Sequence, residues 1–202
     1  MISTKVFIGI AIALCLCACA STPNSRFYVL NANQETTASD QAAIDRNLVS
    51  ICVGPVIVAA YLDRLQLCIR DSGNEVTYAE FDRWAEPLES GIARVLVENL
   101  SHALNTARID VFPWKSPAPV DYQVRIMVLR FDGERGGQAK LKARWLLEAA
   151  GHEKPVFDIM VSIVEPVDSK KYEDLVRAQN KALEKLSHEI AGVIKQVAGK
   201  NN

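Results

Sequence analysis

The most reactive side chains of this sequence are five cysteines, which fall into two groups. Cys15, Cys17 and Cys19 lie at the end of an apolar N-terminal stretch, whereas Cys52 and Cys68 lie in the body of the chain. A cysteine at a signal-cleavage site is able to carry lipid, and a cysteine pair in an exported chain is able to form a disulfide. The two groups therefore predict two different chemistries.

Met1–Ala18 has the pattern of an export signal. Lys5 supplies a positive charge, and an apolar run extends from Val6 to Leu16. The run is too short for a membrane span of about 18–20 residues, and it fits the apolar region of a secretory signal peptide. The tetrapeptide Leu16-Cys17-Ala18-Cys19 resembles a bacterial lipobox, which has a leucine three positions before the lipidated cysteine and a small residue directly before it.

Cys19 is the predicted lipidation site and the first residue of the mature protein. Cys15 and Cys17 fit the motif less well, because each has a leucine directly before it. Ordinary signal cleavage beside a passive Cys19 is the alternative. Residues 19–25 then form a tether, and several acyl chains give durable membrane attachment. Ala20 and Ser21 leave no aspartate at the second mature position, which by the bacterial sorting rule predicts the periplasmic face of the outer membrane.

Cys52 and Cys68 are the two cysteines that remain when the signal is removed and Cys19 is acylated. An even pair in an oxidising compartment predicts a disulfide. Both belong to predicted strands, and their polar faces meet if the strands are neighbours. The alternative is that both thiols are small buried apolar groups.

The remaining chemistry-bearing residues form no catalytic or metal-binding pattern. His102, His152 and His188 lack metal-ligand spacing. Ser101 and Ser187 each precede a histidine on a predicted helix, so the paired side chains diverge. No nucleotide-binding loop or nucleophile elbow occurs. We therefore predict neither an enzyme nor a cofactor. The net charge of −1, with scattered lysines and arginines, argues against a nucleic-acid partner.

The elements that position these residues alternate between strands and two helices. Apolar residues at every second position, separated by turn residues, predict strands. They are Phe27–Leu30, Leu48–Val58, Leu65–Arg70, Glu75–Ala79, Ile109–Phe112, Tyr122–Val128, Ala139–Leu147 and Val156–Val164. Apolar residues at spacings of three and four predict one helix after Pro87 and another after an Asp168-Ser169 cap. We expect one α+β domain over residues 26–198, a mostly antiparallel mixed sheet with both helices packed on one face.

Two short strings carry a family resemblance: Tyr61-Leu62-Asp63-Arg64, and Phe81 to Leu88 leading into Glu98-Asn99-Leu100. Together with Phe27-Tyr28-Val29-Leu30 and the stretch from Tyr172 to Ala191, they resemble the auxiliary lipoproteins of ABC-type transporters, the PqiC family. The resemblance covers nearly all of the mature chain. Leu65 departs from it, because the family usually has proline after the arginine, and this leaves the local strand geometry open.

The resemblance implies an outer-membrane lipoprotein that works by binding and has no catalytic residues. Its implied partners are a mammalian-cell-entry (MCE) type periplasmic protein and an inner-membrane permease or ABC component, in a system that moves phospholipid or another lipid across the envelope. Self-association is compatible with this role. The alternative is a lipoprotein that itself carries a lipid or another apolar ligand in a pocket.

Three residues are candidates for partner contact. Tyr61 and Arg64 belong to the first string, where the alternative is a structural turn. Trp114 lies in a proline-rich loop with no periodicity to bury it, and exposed tryptophans are enriched at interfaces. Inward packing of that loop is the alternative for Trp114. Trp84 and Trp145, by contrast, are expected in the core.

Overall fold

The computed structural model describes residues 23–32, 49–114 and 119–200, and the predicted lipidation site Cys19 lies outside them. In this part of the chain, eight strands join one sheet and two helices accompany it. The strands are β1 (Arg26–Tyr28), β2 (Ile51–Val58), β3 (Gln66–Arg70), β4 (Val76–Trp84), β5 (Ile109–Val111), β6 (Tyr122–Gly133), β7 (Gln138–Ala149) and β8 (Phe157–Pro166). The helices are α1 (Leu88–Leu104) and α2 (Tyr172–Lys200).

Strand β6 joins the two parts of the sheet, because different strands pair with each of its edges. One of its edges pairs with β7 along its whole length, and β7 pairs with β8; both pairings are antiparallel. Its other edge carries two parallel strands end to end, β2 against residues 122–128 and β3 at Gly133. The β5 strand extends the sheet beyond β2, while β4 and β1 extend it beyond β3. The predicted mixed sheet is confirmed, and its long ladders are antiparallel.

Both helices cover the same face of the sheet, as predicted. Helix α1 packs on β2 and β5, helix α2 packs on β6, β7 and β8, and the helices contact each other. Their polar contact is a hydrogen bond of 3.2 Å that the Asn99 side chain donates to the Ser187 hydroxyl. Neither helix combines the length and the apolar character that a membrane-spanning helix requires.

The core between the sheet and the helices is filled by large side chains. Trp145 is fully buried and its ring centroid lies 4.9 Å from that of Phe157. Trp84 packs on Phe131 with 6.4 Å between centroids. The expected core positions of Trp84 and Trp145 are therefore confirmed. Strand β4 is longer than predicted because its last residues, up to Trp84, pair with β1.

The structure contradicts the predicted disulfide, because Cys52 and Cys68 are both free. Cys52 lies opposite Gln123 at the start of β6, whereas Cys68 precedes Ile69, which lies opposite Gly133 at its end. Ten residues of strand place the two thiols about 30 Å apart. A disulfide requires Cα atoms within about 7 Å. Both cysteines are buried, as in the alternative interpretation.

Candidate functional site

A buried carboxylate lies near the end of β6, between the part of this strand that pairs with β2 and the residue that pairs with β3. Asp132 has no exposed surface, although it is on the face of the sheet that the helices leave uncovered. Arg70 donates to it twice, at 3.0 and 2.8 Å, and Arg130 donates at 2.8 Å. The Tyr61 hydroxyl donates at 2.9 Å. We call these four residues the Asp132 cluster.

The protonation states of this cluster suit a structural role. Burial alone raises the pKa of Asp132, but hydrogen bonds from Arg70, Tyr61 and Arg130 outweigh it and hold that pKa below its usual value. Burial and the neighbouring carboxylate raise the pKa of the Tyr61 hydroxyl. Asp132 is therefore ionised and Tyr61 neutral near pH 7, with the carboxylate oxygens occupied by donors. Neither group is available as a general base or nucleophile.

The Asp132 cluster fixes the loop between β2 and β3. The Ala59 amide donates to the carbonyl of Val128 at 2.9 Å, and the Tyr61 hydroxyl lies 3.3 Å from the carbonyl of Leu129, at the point where the register of β6 shifts. Arg64, next along, is exposed and stacks over the Tyr78 ring at 3.9 Å. Of the two candidate contact residues in this string, Tyr61 thus uses its hydroxyl in hydrogen bonds within the domain, while the Arg64 side chain is accessible to a partner.

Trp114 lies elsewhere on the molecule. It follows β5 and is half-buried, and its neighbour Phe112 hydrogen bonds through its amide to the carbonyl of Val53 at 2.8 Å. Five residues of β2, or about 17 Å, separate Val53 from the end of the strand where the Tyr61 loop starts. The structure therefore does not bring Trp114 together with Tyr61 and Arg64.

An apolar row crosses the helix-free face of the sheet. The register aligns Ile57 of β2 with Met127 of β6, then with Arg144 of β7 and Met160 of β8. The three apolar side chains are 49, 44 and 47% exposed. Contiguous exposed apolar side chains are characteristic of contact surfaces, and here Ile57 and Met127 are adjacent while Arg144 separates Met127 from Met160. We call Ile57, Met127 and Met160 the sheet-face row.

Ion pairs lie within and beside the sheet-face row. Arg144 makes two hydrogen bonds to Asp158, at 2.8 and 2.6 Å, and Arg125 contacts Glu148 at 3.1 Å. These pairs are exposed, so they add little to stability. Because Arg144 lies between Met127 and Met160, charged and apolar side chains are mixed on this face. The sheet-face row was not predicted from the sequence. Its one detectable sign is Met127, an apolar residue on the predicted polar face of its strand.

The residues that carry the family resemblance hold β1, β4 and α1 together. Asp82 accepts a hydrogen bond from the Tyr28 hydroxyl at 2.7 Å and contacts Arg26 at 2.9 Å. Glu86 pairs with Arg94 of α1 at 2.7 Å. Burial and this hydrogen bond to Asp82 raise the pKa of Tyr28 to about 12. These motif residues therefore act in folding and leave no obvious reactive group.

The histidines and serines make no catalytic arrangement in the described residues. His102, His152 and His188 are exposed. Ser187 is buried and donates to the carbonyl of Leu183 at 2.8 Å, so it turns away from His188. Within the described ranges, no three His, Cys, Asp or Glu side chains converge as metal ligands.

Three grooves lined by described residues are open and mostly polar. One, of about 280 Å³, is bordered by Arg70, Arg130 and Lys140 beside the Asp132 cluster. A second, of about 330 Å³, lies around the turn between β7 and β8. The third, of about 620 Å³, lies between β1 and the start of α2. Their charged linings suit water, ions or headgroups better than acyl chains.

Comparison with solved structures shows that this fold is shared. Protein XCC0632 from Xanthomonas campestris is 16% identical, with a TM-score of 0.70, and the alignment covers 88% of this chain and 98% of that one. A second crystal structure, of an uncharacterized protein, is 21% identical with a TM-score of 0.68 and covers 85% of this chain and 99% of that one. At these identities the likeness shows the fold alone. Comparison with curated proteins finds no match.

The family comparison is more specific. The model of the family described as ABC-type transport auxiliary lipoprotein component matches residues 28–191. The match spans β2 to β8, α1 and most of α2, and it includes both strings that carry the resemblance in the sequence. The chain therefore belongs to the ABC-type transport auxiliary lipoprotein family.

Proposed function

We propose that this chain is the outer-membrane lipoprotein subunit of an MCE-type intermembrane phospholipid transport system. Lipid on Cys19 holds it at the periplasmic face, and the folded domain binds the periplasmic MCE component. Family membership over residues 28–191 carries the proposal, because that family consists of transport auxiliary lipoproteins. The lipobox ending at Cys19 supports the anchoring part.

Binding, as opposed to carrying lipid, is the role that the interior favours. Side chains such as Trp145, Phe131, Leu141 and Leu147 are fully buried where a sheet and two helices would otherwise enclose a ligand. Lipid-carrying cavities are concave and mostly apolar. The grooves described above have charged linings. These features support a protein whose function resides on its surface.

The sheet-face row is the surface we propose for the MCE component, with Arg64 and Trp114 as further contact candidates. Ile57, Met127 and Met160 are exposed apolar side chains that lie among the Arg144–Asp158 and Arg125–Glu148 ion pairs, and protein–protein interfaces combine apolar and polar groups in this way. This surface lies opposite the helices, so partner binding there leaves the core packing undisturbed.

Affinity isolation of the tagged, full-length lipoprotein from membranes tests the proposal. We expect co-recovery of an MCE protein together with its inner-membrane permease or ABC component. Met160→Asp is expected to reduce that recovery at least tenfold, because burying a carboxylate at an interface costs more than 1.4 kcal/mol. Gln196→Asp, which adds the same charge to an exposed position of α2, is the matched control.

Three outcomes contradict parts of the proposal separately. Recovery of no MCE protein, with unchanged envelope lipid balance and detergent resistance on gene deletion, overturns the transport role. Unchanged recovery with Met160→Asp, but a loss with Trp114→Ala or Arg64→Ala, moves the contact to those residues. Lipid that co-purifies with the unacylated domain favours the lipid-carrying alternative.

The anchor has its own test. Mass spectrometry of the mature N-terminus is expected to show acyl chains on Cys19. The substitution Cys19→Ala is expected to release the domain from the membrane fraction. An unmodified N-terminus at another residue would contradict the lipobox interpretation.

A further inference from the structure

A cationic and aromatic groove lies at the end of the domain where the chain enters it. The groove between β1 and the start of α2, of about 620 Å³, includes Arg26, Phe27, Arg135, Lys170, Lys171 and Tyr172. Phe27, an aromatic side chain of β1, is 64% exposed. We call this the anchor-side groove.

The charge of the anchor-side groove is strongly positive for a chain of net charge −1. Four cations line it against one carboxylate, Glu173. That carboxylate is drawn toward Arg177, 3.8 Å away, and Arg26 is partly neutralised by Asp82. Lys170 and Lys171 are exposed, and no ion pair within 4.0 Å involves them among the described residues. The lining residues therefore carry a net positive charge, which Asp174 near Lys171 and Asp82 beside Arg26 reduce.

The aromatic groups of the groove are held in place. The Arg135 guanidinium lies 4.6 Å from the centre of the Tyr172 ring and donates to the carbonyl of Lys170 at 3.3 Å. Tyr28 is fixed by its hydrogen bond to Asp82. The turn between β6 and β7 and the start of α2 thus present their cations on one surface. Cations beside aromatic rings are the composition that favours a membrane–water interface.

The length of the tether determines which surface this groove meets. Phe27 is eight positions after Cys19 in the sequence, and a fully extended chain over eight such steps spans about 28 Å. A lipid-anchored domain therefore keeps this end within about 28 Å of its own bilayer. The sheet-face row lies on other strands and is not restricted in this way.

We propose that the anchor-side groove is a membrane-contact site that binds the anionic headgroups of phospholipids in the leaflet holding the anchor. This inference rests on the lipid anchor of the proposed function. Lys170, Lys171, Arg135 and Arg26 supply charge and hydrogen bonds to headgroup phosphates, and Phe27 enters the interfacial layer. The contact orients the domain so that its sheet-face row stands away from the membrane plane and remains free for a partner.

The test uses the acylated lipoprotein in phosphatidylcholine vesicles with or without phosphatidylglycerol. A small apolar fluorophore is attached at Phe27→Cys, and a separate sample carries it at Met160→Cys. Quenching by a lipid with a nitroxide on its headgroup reports contact with the bilayer. We expect strong quenching at position 27 only when phosphatidylglycerol is present, weak quenching at position 160 in both vesicles, and loss of the difference in high salt.

The lysines have a matched control. Lys170→Gln with Lys171→Gln is expected to lower the ratio of bilayer-facing to free orientations about 25-fold, because each lysine near an anionic surface contributes about fivefold. Lys142→Gln with Lys195→Gln removes two exposed lysines elsewhere and is expected to change little. Inorganic phosphate added to phosphatidylcholine vesicles is expected to have no effect, since the proposal requires a headgroup surface.

Several results overturn the proposal. They are equal quenching at position 27 in both vesicles, equal effects of the two lysine pairs, or phosphate binding without bilayer contact. Failure of the wild-type chain to float with vesicles instead contradicts the anchor of the proposed function. Floating protein without preferred orientation contradicts only the present inference.

Discussion

Replacing the buried carboxylate by its neutral isostere, Asp132→Asn, tests the account of the Asp132 cluster. The carboxylate accepts hydrogen bonds of 3.0, 2.8, 2.8 and 2.9 Å from two arginines and one tyrosine. In asparagine, an NH2 group replaces one of the two acceptor oxygens, so this NH2 group faces the N–H or O–H donors of its neighbours. The two arginine guanidinium groups also lose the negative charge that the carboxylate supplies. Breaking a buried ion pair costs about 3–5 kcal/mol.

Partial exposure of the arginines lowers that figure. The side chains of Arg70 and Arg130 are 16 and 29% exposed, so water compensates some of the loss. We expect Asp132→Asn to reduce the free energy of unfolding by about 3 kcal/mol at neutral pH. Urea unfolding followed by circular dichroism measures it. Asp158→Asn, which breaks an exposed pair with Arg144, is the control and is expected to change the free energy of unfolding much less, because water screens an exposed pair.

The pH dependence gives a second measurement of the same effect. Because the folded-state pKa of Asp132 is lowered, its stabilisation is complete above the unfolded-state pKa of about 3.9 and is lost as pH falls through the folded-state pKa. The difference between wild type and Asp132→Asn is therefore expected to be constant at neutral pH and to shrink only below about pH 4. Equal costs for Asp132→Asn and Asp158→Asn would refute the reasoning.

Three further predictions concern the core and the thiols. Burial raises the pKa of the Cys52 thiol, and it is also the largest cause that raises the pKa of the Cys68 thiol to about 11. Both thiols are therefore expected to resist alkylation in the folded protein and to react when the protein is unfolded. Mass spectrometry showing a disulfide would contradict this prediction. Trp145→Ala is expected to cost about 3–5 kcal/mol in urea unfolding, because the ring is fully buried. Gly54→Ala is expected to lower the free energy of unfolding by about 2 kcal/mol, since Gly54 has φ +121° and an added Cβ would lie 2.9 Å from the Cβ of Phe112; an unchanged melting temperature would contradict it.

The local pattern of apolar and turn residues predicted most of the strands and helices, but it predicted few of the pairings between strands. The hairpin of β6 and β7, with its turn at residues 134–137, follows from alternation and turn residues that are contiguous in the chain. The division of the sheet at β6, with β2 and β3 sharing one edge, does not. It depends on pairings between strands that are about 70 residues apart, for which the sequence contains no local sign. The disulfide prediction failed for this reason.

The candidate sites likewise depend on contacts that the local sequence pattern does not predict. Asp132 belongs, in sequence, to a polar turn, and its partners Arg70 and Tyr61 lie 62 and 71 residues away. Only the fold shows that this carboxylate is buried and ion-paired. The strings that identify the family were visible from the start, but the structure assigns Asp82 and Glu86 to folding contacts.

Neighbouring residues and their order were enough to predict the helical and strand segments and the family, both of which are confirmed, and they also predict an export signal with a lipobox. The surfaces of the protein, by contrast, follow only from the folded arrangement of the chain. Ile57, Met127 and Met160 become one apolar row, and Phe27 and Lys171 become one groove, only through strand register and helix placement. The physical reason is that surfaces are made by residues distant in the chain, and their proximity depends on how the whole chain packs.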